Sequence, residues 1–241
     1  MKFFRKDPKE IIKFMPIGSN DFYADNHPTP SIGHVPQWYK NIKRNYDPSQ
    51  REIERNWRVK YLPQGTVKKC IPVLDAFGVG YIYSTPMEIM FDGSTGVFVN
   101  FPDTELVQFH EPAQIEGWGA TDEYIPVAYK WRNFNIIKTP PGWSCLFTHP
   151  LNRTDLPFYT LSGVVDTDKH PAPIHFPFLM KKGFTGKIDL GTPVVQIIPF
   201  KRADWSSEKL PFKPTDSAIL EASKYIEDNY KKSFWQKKKY D

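Results

Sequence analysis

Residues 87–101, MEIMFDGSTGVFVNF, give the strongest local indication of a β fold. Its two ends, residues 87–91 and 97–101, carry the aromatic and β-branched side chains that favour strands. Residues 92–96, DGSTG, are typical of a turn, so the stretch predicts a hairpin with a five-residue loop. The preceding segment GYIYS, residues 80–84, is a third strand candidate, and the three together predict a β-meander.

The same strand-like pattern continues to about residue 200. The chain contains 23 prolines, which favour short strands joined by turns because proline interrupts helix interiors and central strands. Short strands separated by turns are typical of a sandwich or barrel. The sequence therefore predicts a mainly β fold, with further strands at residues 127–131, 134–137, 143–148, 158–165, 174–180 and 194–200.

The two ends of the chain differ from this pattern. Residues 1–65 alternate short apolar pieces with loop signals, which predicts an irregular arm that wraps the core, with a short helix at Pro36. We expect one structural domain, divided into this arm, a β domain over residues 66–205, and a C-terminal helix with a basic tail over residues 206–241. An amphipathic C-terminal helix is predicted from the helical spacing of Ile219, Ala222, Ile226 and Tyr230.

Composition limits the class of protein. Two cysteines are too few for a secreted disulfide scaffold. The chain has neither the pattern of a signal peptide nor the run of about 20 apolar residues that a membrane helix needs. We therefore expect a cytoplasmic protein with no membrane partner.

The basic C-terminal tail has two interpretations. The net charge is +5, and residues 234–240, FWQKKKY, combine aromatic side chains with lysines. The favoured interpretation is that Phe234 and Trp235 anchor the chain end to its own core. The alternative is that the tail binds nucleic acid through phosphate contacts and base stacking.

The candidate chemical groups lie between residues 139 and 202. Asp166, Asp168, His170 and His175 fall within ten positions of one another. In an extended segment, Asp168 and His170 lie on one face, as a pair of metal ligands requires, so His170 and His175 are candidate metal ligands. A purely structural alternative also stays open, because aspartates cap backbone groups in turns.

Three motifs in this region occur in an order that resembles a known superfamily. They are PPGWS at residues 140–144, SGVVDTD at 162–168 and GTPVVQII at 191–198. Their order and spacing resemble the β-clip fold of the dUTPase and dCTP deaminase superfamily. The resemblance implies a Mg²⁺-dependent nucleotide site in which Asp166 activates water beside Asp168. It also implies contacts to the nucleotide and its phosphates from His149, Arg153, Lys169 and Gln196. The sequence departs from the family at Lys169, where the family has a tyrosine, and at residues 148–151, where THPL replaces the phosphate-binding Pro-Arg-Ser-Gly stretch. It also lacks the glycine-rich C-terminal arm.

A second resemblance covers most of the chain after residue 65. It is similar to an uncharacterised protein family of tailed phages, notably those of marine bacteria. The segments that carry this resemblance are CIPVLDAF at 70–77, KTPPGW at 138–143, THPLNR at 148–153, DTD at 166–168 and IPFKR at 198–202.

The favoured interpretation is a phage-encoded accessory, binding or structural protein without established catalysis and without a cofactor. We expect a homo-oligomer, with a phage or host protein as a further partner, in the cytoplasm of the infected cell or in the virion. One alternative is a dUTPase-like, Mg²⁺-dependent nucleoside triphosphate hydrolase. The other is a metal-dependent enzyme that uses the Asp and His residues between 166 and 175.

Overall fold

The computed structural model describes residues 10–18, 25–45, 65–93, 97–99, 105–118, 122–211 and 230–241. The fold of these residues is mainly β, as predicted, and every strand pairing is antiparallel. The α-helices are α1 (Gln37–Asn41) and α2 (Ile71–Gly78). Short 3₁₀ helices span Ser31–His34, Val67–Lys69 and Pro112–Ile115, and a π-helical turn spans Tyr230–Phe234. The strands are β1 (Lys13–Pro16), β2 (Thr29–Pro30), β3 (Tyr81–Ser84), β4 (Ile89–Asp92), β5 (Val97–Val99), β6 (Val107–Phe109), β7 (Tyr124–Trp131), β8 (Asn135–Lys138), β9 (Trp143–Thr148), β10 (Phe158–Thr160), β11 (Gly163–Val165), β12 (Phe176–Lys181), β13 (Gly186–Ile188) and β14 (Pro193–Lys201).

Two larger sheets carry most of these strands. One has five strands in the order β11-β9-β14-β3-β2, and the other has four in the order β10-β12-β7-β6. Strand β14 is the longest, and it pairs with β9 from Gln196↔Thr148 to Lys201↔Trp143. Two smaller sheets, β13-β4-β5 and β1-β8, complete the described part of the fold.

The main core lies between the two larger sheets. The rings of Phe147 on β9 and Phe176 on β12 are stacked with centroids 5.5 Å apart, so aromatic side chains join the sheets directly. Within the four-stranded sheet, Trp131 and Phe178 stack at 3.9 Å. Buried side chains from both sheets belong to one continuous cluster. Burial of such large aromatic groups is the main source of stability for a fold of this kind.

The predicted hairpin over residues 87–101 is confirmed as a strand pairing, but Asp92 pairs with Val97 and leaves four loop residues instead of the predicted five. The predicted meander is wrong. Strands β4 and β5 pair, with Met90 opposite Val99. Strand β3 pairs with β14 and β2 instead of β4. The reason lies at the end of β3, where the buried Thr85 hydroxyl donates to the Asp189 carbonyl at 2.7 Å and accepts from the Thr192 backbone N–H at 3.0 Å. These bonds fix the chain after β3 to the turn that leads into β14.

The single strand predicted over residues 158–165 is two strands. Strand β10 belongs to the four-stranded sheet and β11 to the five-stranded sheet, so the chain crosses between sheets at residues 161–162. Helix α2 was not predicted. Its buried Phe77 packs against Tyr39 of α1 with ring centroids 4.8 Å apart, in a second, smaller core cluster.

The N-terminal arm contributes to the fold through regular elements. Strand β1 pairs with β8, and the predicted helix at Pro36 is confirmed as α1, with Pro36 as its N-cap residue. The prediction of an amphipathic helix over residues 219–230 falls largely on residues that the structure does not describe. Within the described ranges, no helix is long and apolar enough to cross a membrane.

The end of the tail is anchored to the core, as predicted, although one of the two anchors differs. The Trp235 indole N–H donates to Asp75 at 2.9 Å, and the Lys238 ammonium donates to the same carboxylate oxygen at 2.6 Å. Phe234 is exposed. The second anchor is Tyr240, whose ring packs edge-on against Tyr81 at 5.9 Å.

Candidate functional site

The two aspartates that follow β11 meet the end of β14. Because β11, β9 and β14 are adjacent in one sheet, residues far apart in sequence converge there. The Arg202 guanidinium donates from Nη1 to Asp166 Oδ1 at 3.1 Å and to Asp168 Oδ1 at 3.0 Å. Its Nη2 donates to Asp168 Oδ2. We call Arg202, Asp166, Asp168, Ser144 and the Gly142 backbone N–H the Arg202 clasp.

The two aspartates of the Arg202 clasp have different surroundings. The Asp168 side chain is only 7% exposed, and it also accepts from the Gly142 backbone N–H at 2.9 Å. The hydrogen bonds from Arg202 and then Gly142 hold the pKa of Asp168 well below its usual range. The Asp166 side chain is 56% exposed, and its Oδ1 accepts from the Ser144 hydroxyl at 2.7 Å. Of the two carboxylates, only Asp166 is open to a ligand.

A mostly buried row of polar groups lies next to the Arg202 clasp. The hydroxyls of Thr139 and Thr167 are 2.7 Å apart, and Thr167 donates to the Cys145 sulfur at 3.4 Å. Burial raises the pKa of the Cys145 thiol to about 11, so it stays protonated and unreactive at neutral pH. This row ties β9 to the turn after β11.

The predicted metal ligands do not gather into a ligand set. The backbone carbonyl of His170 accepts from the Lys138 ammonium at 2.6 Å, and His175 Nδ1 lies 3.3 Å from the Asn133 backbone N. Burial, with nearby Lys130 and Arg132, lowers the pKa of His175. Among the described residues, no group of three or more His, Cys, Asp or Glu side chains could hold a metal ion.

His149 and Arg153, predicted to bind phosphate, line a cleft of about 450 Å³ together with Tyr124, Tyr159 and Lys181. The His149 ring stacks on Tyr159 with centroids 5.1 Å apart, and its Nε2 lies 2.9 Å from the Arg153 carbonyl. Burial lowers the pKa of His149, so its ring is neutral at neutral pH. Arg153 is paired through two nitrogens with Asp155, at 2.8 and 2.9 Å.

Gln196 lies in the interior, where it bonds to the protein's own backbone. Its side chain carbonyl accepts from the Leu151 N–H at 2.8 Å. Its amide nitrogen donates to the carbonyls of Val79 at 2.6 Å and Ala76 at 3.0 Å, at the end of α2. Gln196 therefore joins β14 to both the loop after β9 and helix α2.

The predicted catalytic and phosphate-binding residues lie at opposite ends of β9. Asp166 contacts Ser144 near its start, whereas His149 directly follows its last residue. Five residues of extended chain span about 16 Å. Lys169, exposed in the turn after Asp168, lies at the Asp166 end. The structure thus places Asp166, Asp168 and Lys169 at the start of β9, and His149, Arg153 and the interior Gln196 at its end. The role of these six residues in binding a nucleotide stays a prediction.

Arg202 is the residue of this site that sequence analysis missed. It lies two residues after the strand predicted at 194–200, where a basic side chain can pair with acidic turn residues, but nothing local identifies its partners. No protein-family model, curated protein or solved structure matches this chain.

Proposed function

We propose that this protein is a binding or structural protein in which the Arg202 clasp stabilises the fold and catalyses no reaction. The observation that supports this proposal is the state of Asp168, whose two oxygens accept hydrogen bonds from Arg202 and from Gly142. A general base needs a pKa near the working pH and a free position for the proton it takes. A carboxylate with a strongly lowered pKa and little exposure is a poor proton acceptor.

The resemblance to tailed-phage proteins supports the rest of the proposal. On this basis the protein is a phage-encoded accessory component with a β-clip-like core. It works without a bound cofactor, in the cytoplasm of the infected cell or in the virion.

One observation favours the alternative, a Mg²⁺-dependent nucleoside triphosphate hydrolase. Asp166 is more than half exposed, and a carboxylate at this position could help hold Mg²⁺ or orient water. In this alternative, Asp166 is the catalytic residue and Asp168 positions Arg202 beside it. The two functions therefore predict different roles for the two aspartates.

A thermal-shift measurement separates the two functions. The purified protein is heated with each deoxynucleoside triphosphate, with and without Mg²⁺. A ligand present at 100 times its Kd stabilises the native state by about 2.7 kcal/mol. For a chain of this size, that corresponds to a rise in Tm of about 5–11 °C. The binding or structural function predicts no rise with any triphosphate.

Two matched variants complete the experiment. If the Arg202 clasp is structural, Asp168→Asn lowers Tm markedly, because it removes a mostly buried charge that Arg202 and Gly142 surround. Asp166→Asn lowers Tm less, because Asp166 is exposed. For the hydrolase, the wild-type protein shows a Mg²⁺-dependent rise with one triphosphate and releases pyrophosphate. Asp166→Asn then abolishes that release while the fold remains intact. The second pattern would overturn the proposal.

A further inference from the structure

Residues 203–211, ADWSSEKLP, leave the fold directly after Arg202, and we call them the exposed arm. All nine residues are exposed, including Trp205 at 91% and Leu210 at 72%. No helix or strand forms among them. Tryptophan is among the residues that most often anchor protein interfaces, and a chain in water gains by covering such apolar groups. The exposed arm therefore has the composition of an interface segment.

The Arg202 clasp fixes the root of the exposed arm. The Arg202 backbone N–H donates to the Gly142 carbonyl at 2.8 Å, and the side chain is held by Asp166 and Asp168. The arm therefore leaves the five-stranded sheet from a position held by several bonds. Fixing one end of a segment reduces the conformational entropy lost when the segment binds.

A groove with an apolar lining, suited to the apolar residues of the exposed arm, lies beside the C-terminal tail. It has a volume of about 430 Å³, and we call it the tail groove. Its apolar lining includes Ile32, Leu74, Trp235 and Tyr240. Pockets of this size accept groups as large as an indole ring. Ile32 is among the exposed large hydrophobic residues, so the groove presents apolar surface to solvent.

The charges of the groove and the arm are complementary. The groove is lined by Lys237, Lys238 and Lys239, and by Asp75 and Asp241. Lys238 pairs with Asp75, and by its side chains the groove carries three lysines against two aspartates. In the exposed arm, Asp204 and Glu208 flank Trp205, and Lys209 is the only basic residue. Each surface thus has one excess charge, positive in the groove and negative in the arm.

We propose that the exposed arm of one copy of this chain binds in the tail groove of a second copy. Trp205 enters the apolar floor, and Asp204 and Glu208 lie beside Lys237 and Lys239. Trp205 is exposed on its own chain, so the arm does not fill its own groove. Because one chain carries both surfaces, reciprocal exchange of the arms closes a dimer with twofold symmetry. This inference does not depend on whether the Arg202 clasp is catalytic.

Sedimentation velocity over a dilution series tests the proposal. The wild-type protein forms a dimer, and Trp205→Ser raises its Kd about thirtyfold or more, the effect of losing an aromatic anchor. Trp118→Ser removes another exposed tryptophan, outside the arm and the groove, and leaves the Kd unchanged. In the groove, Ile32→Asp introduces an acidic group that repels the acidic arm and also raises the Kd. All three positions are exposed, so circular dichroism and Tm stay close to wild type.

Mixing the two dimer-defective variants sharpens the test. A Trp205→Ser subunit keeps an intact groove, and an Ile32→Asp subunit keeps an intact arm. One complete arm–groove contact can therefore form between them, and the mixture contains a dimer population that is absent from either variant alone. The proposal is overturned if the wild-type protein is monomeric throughout. It is also overturned if both variants dimerise like wild type, or if the mixture stays monomeric.

Discussion

The substitution Gln196→Leu removes an amide that connects three segments while nearly keeping the volume of the side chain. Gln196 is 1% exposed, and all three of its hydrogen bonds go to backbone groups. After the substitution, the Leu151 N–H and the carbonyls of Ala76 and Val79 lose these partners. A buried backbone group without a partner costs about 1–3 kcal/mol.

Water can replace little of this lost bonding. The cavity beside Gln196, which Phe77 and Leu151 also line, has a volume of about 10 Å³, space for about one water molecule. If one of the three backbone groups regains a partner, two remain unpaired. At about 1.5 kcal/mol each, we expect a loss of about 3 kcal/mol in the free energy of unfolding. For a chain of this size, Tm falls by about 6–12 °C.

Urea denaturation and calorimetry measure this change directly. The matched control is Gln37→Leu, because Gln37 is exposed on α1 and its side chain bonds, among the described residues, to Asn41 four residues away. Its effect stays within about 0.5 kcal/mol. If Gln196→Leu unfolds at the same urea concentration as the control, the amide does not hold these segments together.

Two further predictions concern stability. Gly80 has φ +72°, and a Cβ there would lie 2.1 Å from the Ile197 carbonyl oxygen, so Gly80→Ala lowers the unfolding free energy by more than about 2 kcal/mol. Gly33→Ala, where a Cβ meets nothing within 4 Å, is the control, and equal urea midpoints would contradict the prediction. The pKa of His149 is lowered by burial, so as pH falls below about 6.5 the unfolded state takes up a proton first and stability decreases. His149→Gln therefore gives a flatter dependence of Tm on pH between about 7 and 5, and an unchanged slope would refute this assignment.

The local sequence predicted those strands that form apolar segments separated by turn signals. Strand β9 has the predicted bounds, and β14 is one residue longer at each end than predicted. The partners of the strands depend on distant contacts. Strand β14 becomes the neighbour of β3 where Thr85 bonds to Asp189 and Thr192, which lie more than a hundred positions later in the sequence. No local sequence pattern indicates this pairing.

Helix α2 was not predicted, because it too depends on distant contacts. Its sequence, IPVLDAFG, is almost uniformly apolar, so it shows neither the helical nor the strand period. The helix is supported by Phe77 packing on Tyr39, and carbonyls at its end accept hydrogen bonds from the Gln196 side chain. Tyr39 lies 38 positions before Phe77 in the sequence, and Gln196 lies 120 positions after Ala76, one of the two residues to which it bonds. Tertiary packing therefore selects the helix.

For the candidate site, as for the strands, the local sequence identified individual residues but not their distant partners. An Asp-Thr-Asp sequence after a strand identifies Asp166 and Asp168 as candidates. A turn forms there through bonds from the Lys169 and His170 backbone N–H groups to the Asp166 carbonyl, but the aspartate side chains do not cap its amides and bond instead to Ser144, Gly142 and Arg202. The partner Arg202 lies 34 positions beyond Asp168. It reaches the aspartates only because β14 lies two strands from β11 in the same sheet.

Three residues of the motifs that carry the β-clip resemblance have structural partners in this protein. Gly142 and Asp168 join the start of β9 to the turn after β11, and Gln196 joins β14 to α2. Stability alone therefore accounts for a glycine, an aspartate and a glutamine at these positions, whether or not a nucleotide binds. A motif that bonds to its own backbone in this way is informative about the fold, whereas an activity must be argued from groups that remain accessible. Asp166 is such a group, and so is Trp205 of the exposed arm. Experiments on those two residues will decide what this protein does.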